Sequence, residues 1–151
     1  MGHLLGRSGF FLEKAKHMKK YIRIVGGQYR RTPIEVIETP GLRPTPDRVR
    51  ETLFNWLGHD LTGLACLDLF AGSGALGFEA LSRNAKSVVM VESDARVRAA
   101  LSRNADALQA GSRLTIVGGD ALQFLQRNAL AFDVVFCDPP FREDWFSRLW
   151  P

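Results

Sequence analysis

Two short stretches hold residues suited to group transfer: residues 68–77 (DLFAGSGALG) and residues 138–141 (DPPF). Each closes an apolar run. The first follows residues 64–67, a continuous apolar run of the kind a strand shows when both faces of a parallel sheet are covered. Asp68 then falls at the carboxyl end of that strand. Gly72, Ser73 and Gly74 permit a tight turn, and residues 75–83 have the spacing of a helix whose amino terminus faces whatever binds above the strand. Such a crevice is where open α/β sheets take their ligands.

Gly72, Gly74 and Gly77 also satisfy GxGxxG, and Glu92 follows Gly72 by 20 residues at the end of another apolar run, so a dinucleotide site is one reading. Charge separates it from the alternative. A pyrophosphate above this loop would meet the Asp68 carboxylate, whereas S-adenosylmethionine brings an ammonium and a sulfonium. A hydrogen bond to a charged group is worth about 1.5–3 kcal/mol, enough for its sign to decide between two similar nucleotides. Asp68 favours the cationic one.

Residues 133–137 (DVVFC) form a further apolar run, and Asp138, Pro139, Pro140 and Phe141 follow where a loop should open at the same sheet edge. Two prolines stiffen the loop. An exocyclic amino group on a nucleobase is a poor nucleophile because its lone pair is delocalised into the ring. Asp138 and the Pro139 carbonyl can accept its two hydrogens and aim the lone pair at a methyl group. Phe141 can stack on the base, a contact worth about 1–3 kcal/mol that holds a flipped base without identifying it.

The elements that must position these groups follow a β/α rhythm. Residues 87–91 read as a strand ended by Glu92. Ser93 or Asp94 then caps a helix to about Ala110, with Val97, Leu101, Ala105 and Leu108 on one face. Residues 114–117 read as the next strand, and Gly118, Gly119 and Asp120 lead into a helix through Phe124 and Leu125. Glu92 is placed to accept both ribose hydroxyls. Asp120 can accept from an adenine amino group with the Ala121 N–H beside it, or simply cap the helix, and both roles can coexist.

DLFAGSGALG, Glu92, GGDAL and DPPF resemble the successive motifs of class I S-adenosylmethionine-dependent methyltransferases. Residues 24–28 (IVGGQ), 41–56 (GLRPTPDRVRETLFNW) and 70–83 (FAGSGALGFEALSR) narrow the likeness to the RsmD family, which methylates guanine N2 in 16S ribosomal RNA. The likeness runs from about Tyr21 to Phe141. It implies an α/β, Rossmann-like sheet of which about four parallel strands are found here, preceded by an N-terminal β-hairpin. It implies a target-base pocket of Asp138, Pro139, Pro140 and Phe141. The cofactor site it implies comprises Asp68, Gly72, Gly74 and Glu92, and the candidates beside them are Phe70 and Ser73 in the glycine loop with Asp120 and Ala121 at the next strand end. Thr45, Arg48 and Glu51 match the upstream motif over the methionine end. The family's sheet has seven strands, so the chain is expected to be truncated at its C-terminal side, with Val134, Val135 and Phe136 at an open apolar edge.

Around that upstream motif, Thr45 is expected to cap a helix with Pro46 in its first turn. Val49, Leu53 and Leu57 follow at four-residue steps on a face packed against the sheet, and Gly58 stops the helix. Arg48 and Glu51 share one side of it, as ligand groups or as an exposed ion pair.

Charge points to an anionic partner independently of motifs. Residues 1–50 carry 11 Lys and Arg against 4 Asp and Glu, and the remainder 9 against 12, so the basic excess stops where the transfer motifs begin. Lys19, Lys20, Arg23, Arg30 and Arg31 flank an expected hairpin, residues 21–26 returning through 34–37 with Gly27 in its turn, and such a patch suits an RNA phosphate backbone. The chain therefore divides into an extension over residues 1–17, a basic hairpin over 18–40 and a methyltransferase domain over 41–151. The first of these lacks a cleavage site for a signal peptide, and no run is long enough to span a membrane. Cys66 and Cys137 fall in expected strands as inert core thiols. The absence of a disulfide pattern fits the cytoplasm, and His3, His17 and His59 show no metal spacing.

The leading expectation is transfer of a methyl group from S-adenosylmethionine to guanine N2 in ribosomal RNA or the assembling small subunit, with no metal and no membrane. A DNA adenine-N6 methyltransferase, a nicotinamide-dependent oxidoreductase and a non-catalytic cofactor- or RNA-binding fragment are the alternatives.

Overall fold

The computed structural model describes residues 20–39 and 45–139. Strands β1 (Lys20–Arg23) and β2 (Pro33–Val36) form an antiparallel hairpin in which Lys20 pairs with Val36 and Arg23 with Pro33. Gly27 supplies a left-handed residue in its turn, φ 79°, and packs so closely on the Ser82 backbone that any side chain there would collide with it.

Helix α1 (Asp47–Leu57) leads to β3 (Ala65–Asp68), α2 (Ala75–Ser82), β4 (Ser87–Glu92), α3 (Ala95–Ala107), β5 (Leu114–Gly118), α4 (Ala121–Arg127) and β6 (Val134–Phe136). The four strands of the second sheet are parallel in the order β5-β4-β3-β6. Central β4 buries Val88, Val89, Met90 and Val91 in succession, as its unbroken apolar run requires. The chain moves outward from β3 through β4 to β5 and then returns to the other side of β3, so a topological switch point lies between β3 and β6. Asp68 pairs across it with Phe136.

Helix α2 is buried at all eight positions. A helix buried on every side must be covered on every side, and here the sheet, α1 and the hairpin share that task. Ile24 and Ile34 of the hairpin region belong to the same core cluster as Phe54, Phe78, Met90 and Leu101. The Asn104 side chain in α3 completes the docking: it accepts from the Glu35 N–H at 3.1 Å and donates to the Glu35 carbonyl at 2.9 Å.

Two expectations for α1 are corrected. Thr45 does not cap it. Pro46 stands at the cap position, with φ −57° and ψ 149° and no side-chain cap bond, and the Asp47 carboxylate pairs with Arg50 at 2.5 Å. Nor does the Val49–Leu53–Leu57 stripe face the sheet. Val49 is 52% exposed and Leu57 38%, Leu53 is half-buried, and the buried residues are Arg50 and Phe54. Phe54 sets its ring 5.7 Å from Phe136 and under the Arg83 guanidinium at 4.9 Å, which fixes the rotation of the helix. The helix does stop at Gly58, whose N–H donates to the Phe54 carbonyl. No helix among the described residues is long and apolar enough to cross a membrane.

Candidate active site

Three carboxylates gather at the carboxyl ends of the strands. Asp68 ends β3, Glu92 ends β4 and Asp138 lies two residues beyond β6. Asp68 is 1% exposed and accepts the Gly77 N–H from the first turns of α2 at 3.0 Å. A Cβ on Gly77 would stand 3.1 Å from the same carboxylate oxygen, so glycine is what lets the helix approach. Burial pushes the Asp68 carboxyl up to about 7, against the Gly77 bond and with the help of the Asp138 and Glu92 charges.

The loop between β3 and α2 is held from both flanks. The Leu69 N–H donates to the Phe136 carbonyl, the Ala71 N–H to Val91, and the Gly72 N–H to Glu92 Oε1 at 2.9 Å. Gly72 and Gly74 are left-handed, at φ 53° and 80°. Ser73 is buried and its Oγ accepts from the Ala75 N–H at 3.3 Å, while half-buried Phe70 packs with Leu67, Leu69 and Val89. Glu92 Oε2 accepts from the Asp94 N–H at 2.9 Å. Both Glu92 oxygens thus brace backbone, although a carboxylate keeps further lone pairs for another donor.

Asp94 proves to be the cap of α3, accepting from the Arg96 and Val97 N–H groups. Asp120 caps α4 through the Leu122 N–H at 3.1 Å, with buried Ala121 as the first helical residue. Thr45 reaches the site by its hydroxyl, which donates to Asp138 Oδ2 in a long 3.5 Å bond. Arg48 and Glu51 are exposed on α1. Asp138 is exposed and Pro139 half-buried. Pro140 and Phe141 lie outside the described residues, as does Lys19.

Of the basic residues in the hairpin, Lys20 forms an exposed ion pair with Glu38, and Arg23, Arg30 and Arg31 are exposed. Burial pushes both thiols up, Cys66 to about 11 with Asp133 adding to it and half-buried Cys137, just past β6, with Asp138 adding to it, which disfavours the thiolate.

A second polar group, to which the sequence motifs assign no role, lies where the hairpin meets α1 and α2. Glu79 is fully buried and accepts from the Val25 N–H at 2.9 Å, the Gly26 N–H at 2.9 Å and Arg83 Nε at 3.0 Å. Ser82 Oγ donates to the Gly26 carbonyl at 2.5 Å and accepts from the Tyr29 N–H at 2.9 Å. Arg50 Nε stands 3.9 Å from Glu79 Oε2. The signal that could have found this cluster was the set of charged and polar residues, Glu79, Ser82 and Arg83, inside the otherwise apolar phrase FEALSR.

The acceptor set at the strand ends suits a cation better than a pyrophosphate, because three acidic groups converge there. Comparison with known proteins agrees with the fold and narrows it. Residues 22–149 match the family model described as conserved hypothetical protein 95. The chain is 50% identical over 121 residues to ribosomal RNA small subunit methyltransferase D of Escherichia coli strain K12, covering 80% of this chain and 61% of that protein. To the protein of the same name from Haemophilus influenzae it is 48% identical, over 82% of this chain and 65% of that one. Among solved structures, "Putative methyltransferase yhhF from Escherichia coli" superposes with a TM-score of 0.74 at 46% identity, over 82% of this chain and 66% of that one. The chain thus spans about three fifths of the length of the first of these relatives. It belongs to the conserved hypothetical protein 95 family, the RsmD family of the sequence resemblance.

Proposed function

We propose that the chain carries the cofactor site and the target-base loop of an S-adenosylmethionine-dependent methyltransferase that modifies N2 of a guanine in small-subunit ribosomal RNA. The observation that carries the reading is the convergence of Asp68, Glu92 and Asp138 at the switch point of the sheet, in a chain half identical to a small-subunit ribosomal RNA methyltransferase. Their charges suit a ligand that is cationic at its amino-acid end.

In this reading Asp68 faces the methionine ammonium across the glycine loop, with Thr45, Arg48 and Glu51 over the same end. Phe70, Gly72, Ser73 and Gly74 shape the loop. Glu92 accepts from the ribose while its existing bonds to Gly72 and Asp94 keep it in place. Asp120 and Ala121 serve the adenine in addition to starting α4. The cofactor, when bound, supplies an electrophilic methyl group. The residues of the chain do the rest: Asp138 and the Pro139 carbonyl accept the two hydrogens of the guanine amine and turn its lone pair toward that methyl. The amine lone pair forms the N–C bond as the bond from the methyl to sulfur breaks, its electrons staying on sulfur, and the proton lost from nitrogen leaves along the hydrogen bond to Asp138. Thr45 steadies the Asp138 carboxylate through its hydroxyl. By family resemblance Pro140 and Phe141 complete the base pocket; on the charge of the hairpin, Lys19, Lys20, Arg23, Arg30 and Arg31 are assigned to RNA phosphates.

The test is methyl transfer from labelled cofactor to unmodified small-subunit ribosomal RNA, or its assembling particle, followed by nucleoside analysis. Label on guanine N2 supports the reading, and label on adenine N6 contradicts it. Asp138→Ala should leave cofactor affinity nearly unchanged and lower the rate by about 100-fold or more, the usual cost of losing a positioned acceptor. Asp138→Asn retains an acceptor without the charge, so activity in Asn but not in Ala assigns the effect to alignment.

A further inference from the structure

Arg50 is 1% exposed, and the acceptors it has chosen are unexpected. A buried arginine beside a buried glutamate ordinarily turns its fork onto the carboxylate. Here Nε points to Glu79 from 3.9 Å and has no hydrogen-bond partner among the described residues. The two terminal nitrogens turn elsewhere: Nη2 donates to the Arg23 carbonyl and to Asp47 Oδ1, each at 2.5 Å, and Nη1 donates to the Thr45 carbonyl at 2.7 Å. Arg23 is the last residue of β1 in the basic hairpin. Thr45 is the residue whose hydroxyl meets Asp138. A single guanidinium therefore joins the strand assigned to RNA to the segment that meets the target-base loop, with a hydrogen bond to its nearest buried carboxylate left unmade.

We propose that Arg50 is a positioning residue that holds the Asp138 loop in register with the basic hairpin, so that RNA seated on the hairpin meets a loop already aligned to its base. This rests on the assignment of the site under Proposed function. The fork is what the task needs. Its nitrogens are fixed in one plane and reach two carbonyls on different segments at once, whereas a lysine ammonium is a single point and reaches one of them. Glu79 reinforces the register from the hairpin side by binding the Val25 and Gly26 N–H groups, two and three residues beyond Arg23. RNA that stiffens the hairpin then also stiffens Thr45 and Asp138, through a contiguous set of hydrogen bonds.

Amide hydrogen exchange on the full chain, free and bound to oligouridylate, tests this. That probe offers phosphates and no guanine, so Asp138 feels it only through the protein. In the wild-type chain the RNA should slow exchange at the hairpin amides and also at Thr45 and Asp138. Arg50→Lys keeps a cation beside Glu79; it should retain the slowing in the hairpin and lose at least about tenfold of it at Thr45 and Asp138. Thr45→Val should retain it at Thr45 and lose it at Asp138 alone, an order that a merely structural arginine would not produce. Should Arg50→Lys fail to fold, Arg50→Met combined with Glu79→Gln removes both charges and cuts the same link, with the same expected result. Slowing at Asp138 that survives loss of Arg50, or wild-type slowing confined to the hairpin, overturns the proposal and leaves RNA binding by the hairpin intact. If oligouridylate slows nothing in the hairpin, the assignment of that hairpin to RNA fails, and the positioning role falls with it.

Discussion

Asp68 and Glu79 are both almost fully buried carboxylates, and their surroundings are opposite. Glu79 is met by two backbone N–H groups, by Arg83 at 3.0 Å and by the Arg50 side chain. Asp68 is met by one backbone N–H and by two further carboxylates, and its carboxyl is pushed up to about 7. The hairpin junction is compensated from within, as a structural ion cluster must be. The sheet edge has its acidic groups crowded together around a buried one, which costs stability unless a cation arrives from outside. Such an imbalance supports the proposed binding site, since groups perturbed by burial and like charge gather where a ligand completes them.

The largest effect expected from breaking this contrast is on the compensated side. Glu79→Ala should cost about 3–5 kcal/mol in urea unfolding, because it takes the carboxylate from Arg83 in the core and frees the Val25 and Gly26 N–H groups. Asp68→Asn should cost far less or raise the midpoint, since it removes a charge the fold does not neutralise. A destabilisation as large as that of Glu79→Ala would place Asp68 among the structural groups.

The pH dependence carries the same distinction. A carboxyl raised from 3.8 to about 7 holds its proton in the folded chain after the unfolded chain has lost it. Stability is then fullest below about pH 4 as far as this group is concerned, and is lost as pH rises toward 7. Binding of a cation has the opposite sign, because it needs the ionised form: affinity for S-adenosylmethionine should rise about tenfold per unit between pH 5.5 and 6.5 and level off above 7. Urea titrations and calorimetry at matched pH would show whether Asp68→Asn flattens both slopes.

A smaller effect separates the basic residues. Removing the charge of Arg23, Arg30 or Arg31 should lower the salt slope of RNA binding by about 0.7–0.9 for each phosphate no longer neutralised. Lys20 already pairs with Glu38, so Lys20→Ala should change that slope least. Filter binding across salt concentrations decides. The smallest effect belongs to the outward face of α1: Val49→Ser, at an exposed position, should stay within about 0.5 kcal/mol of wild type in thermal unfolding.

Much of the sheet edge was legible because strand ends advertise themselves. A carboxylate closing an apolar run, followed by glycines and a helix, located Asp68, Glu92 and the loop between β3 and α2, and the order of runs located the parallel strands. A cap at Ser93 or Asp94 was readable for the same local reason, and the structure uses Asp94. The rotation of α1 was not readable. Val49, Leu53 and Leu57 satisfy helical spacing as well as Phe54 does, and an arginine in mid-helix suggests solvent; its burial depends on the Arg23 carbonyl and on Glu79, groups 27 and 29 positions away in the chain. The Thr-Pro-Asp run likewise reads as a capped start, yet Asp47 is drawn to Arg50 and Thr45 is left to face Asp138. Local chemistry was visible in the residues, and long-range compensation was not.

Calorimetric titration of the wild-type chain and of Asp68→Asn with S-adenosylmethionine, and of both with NAD, at pH 7.5 tests the central claim most directly. The wild-type chain should bind S-adenosylmethionine and not NAD, and Asp68→Asn should bind it more weakly by about 1.5–3 kcal/mol, the worth of a charged hydrogen bond. Equal affinity in the two proteins, or binding of NAD in preference, would contradict the assignment of the acidic sheet edge to a cationic ligand.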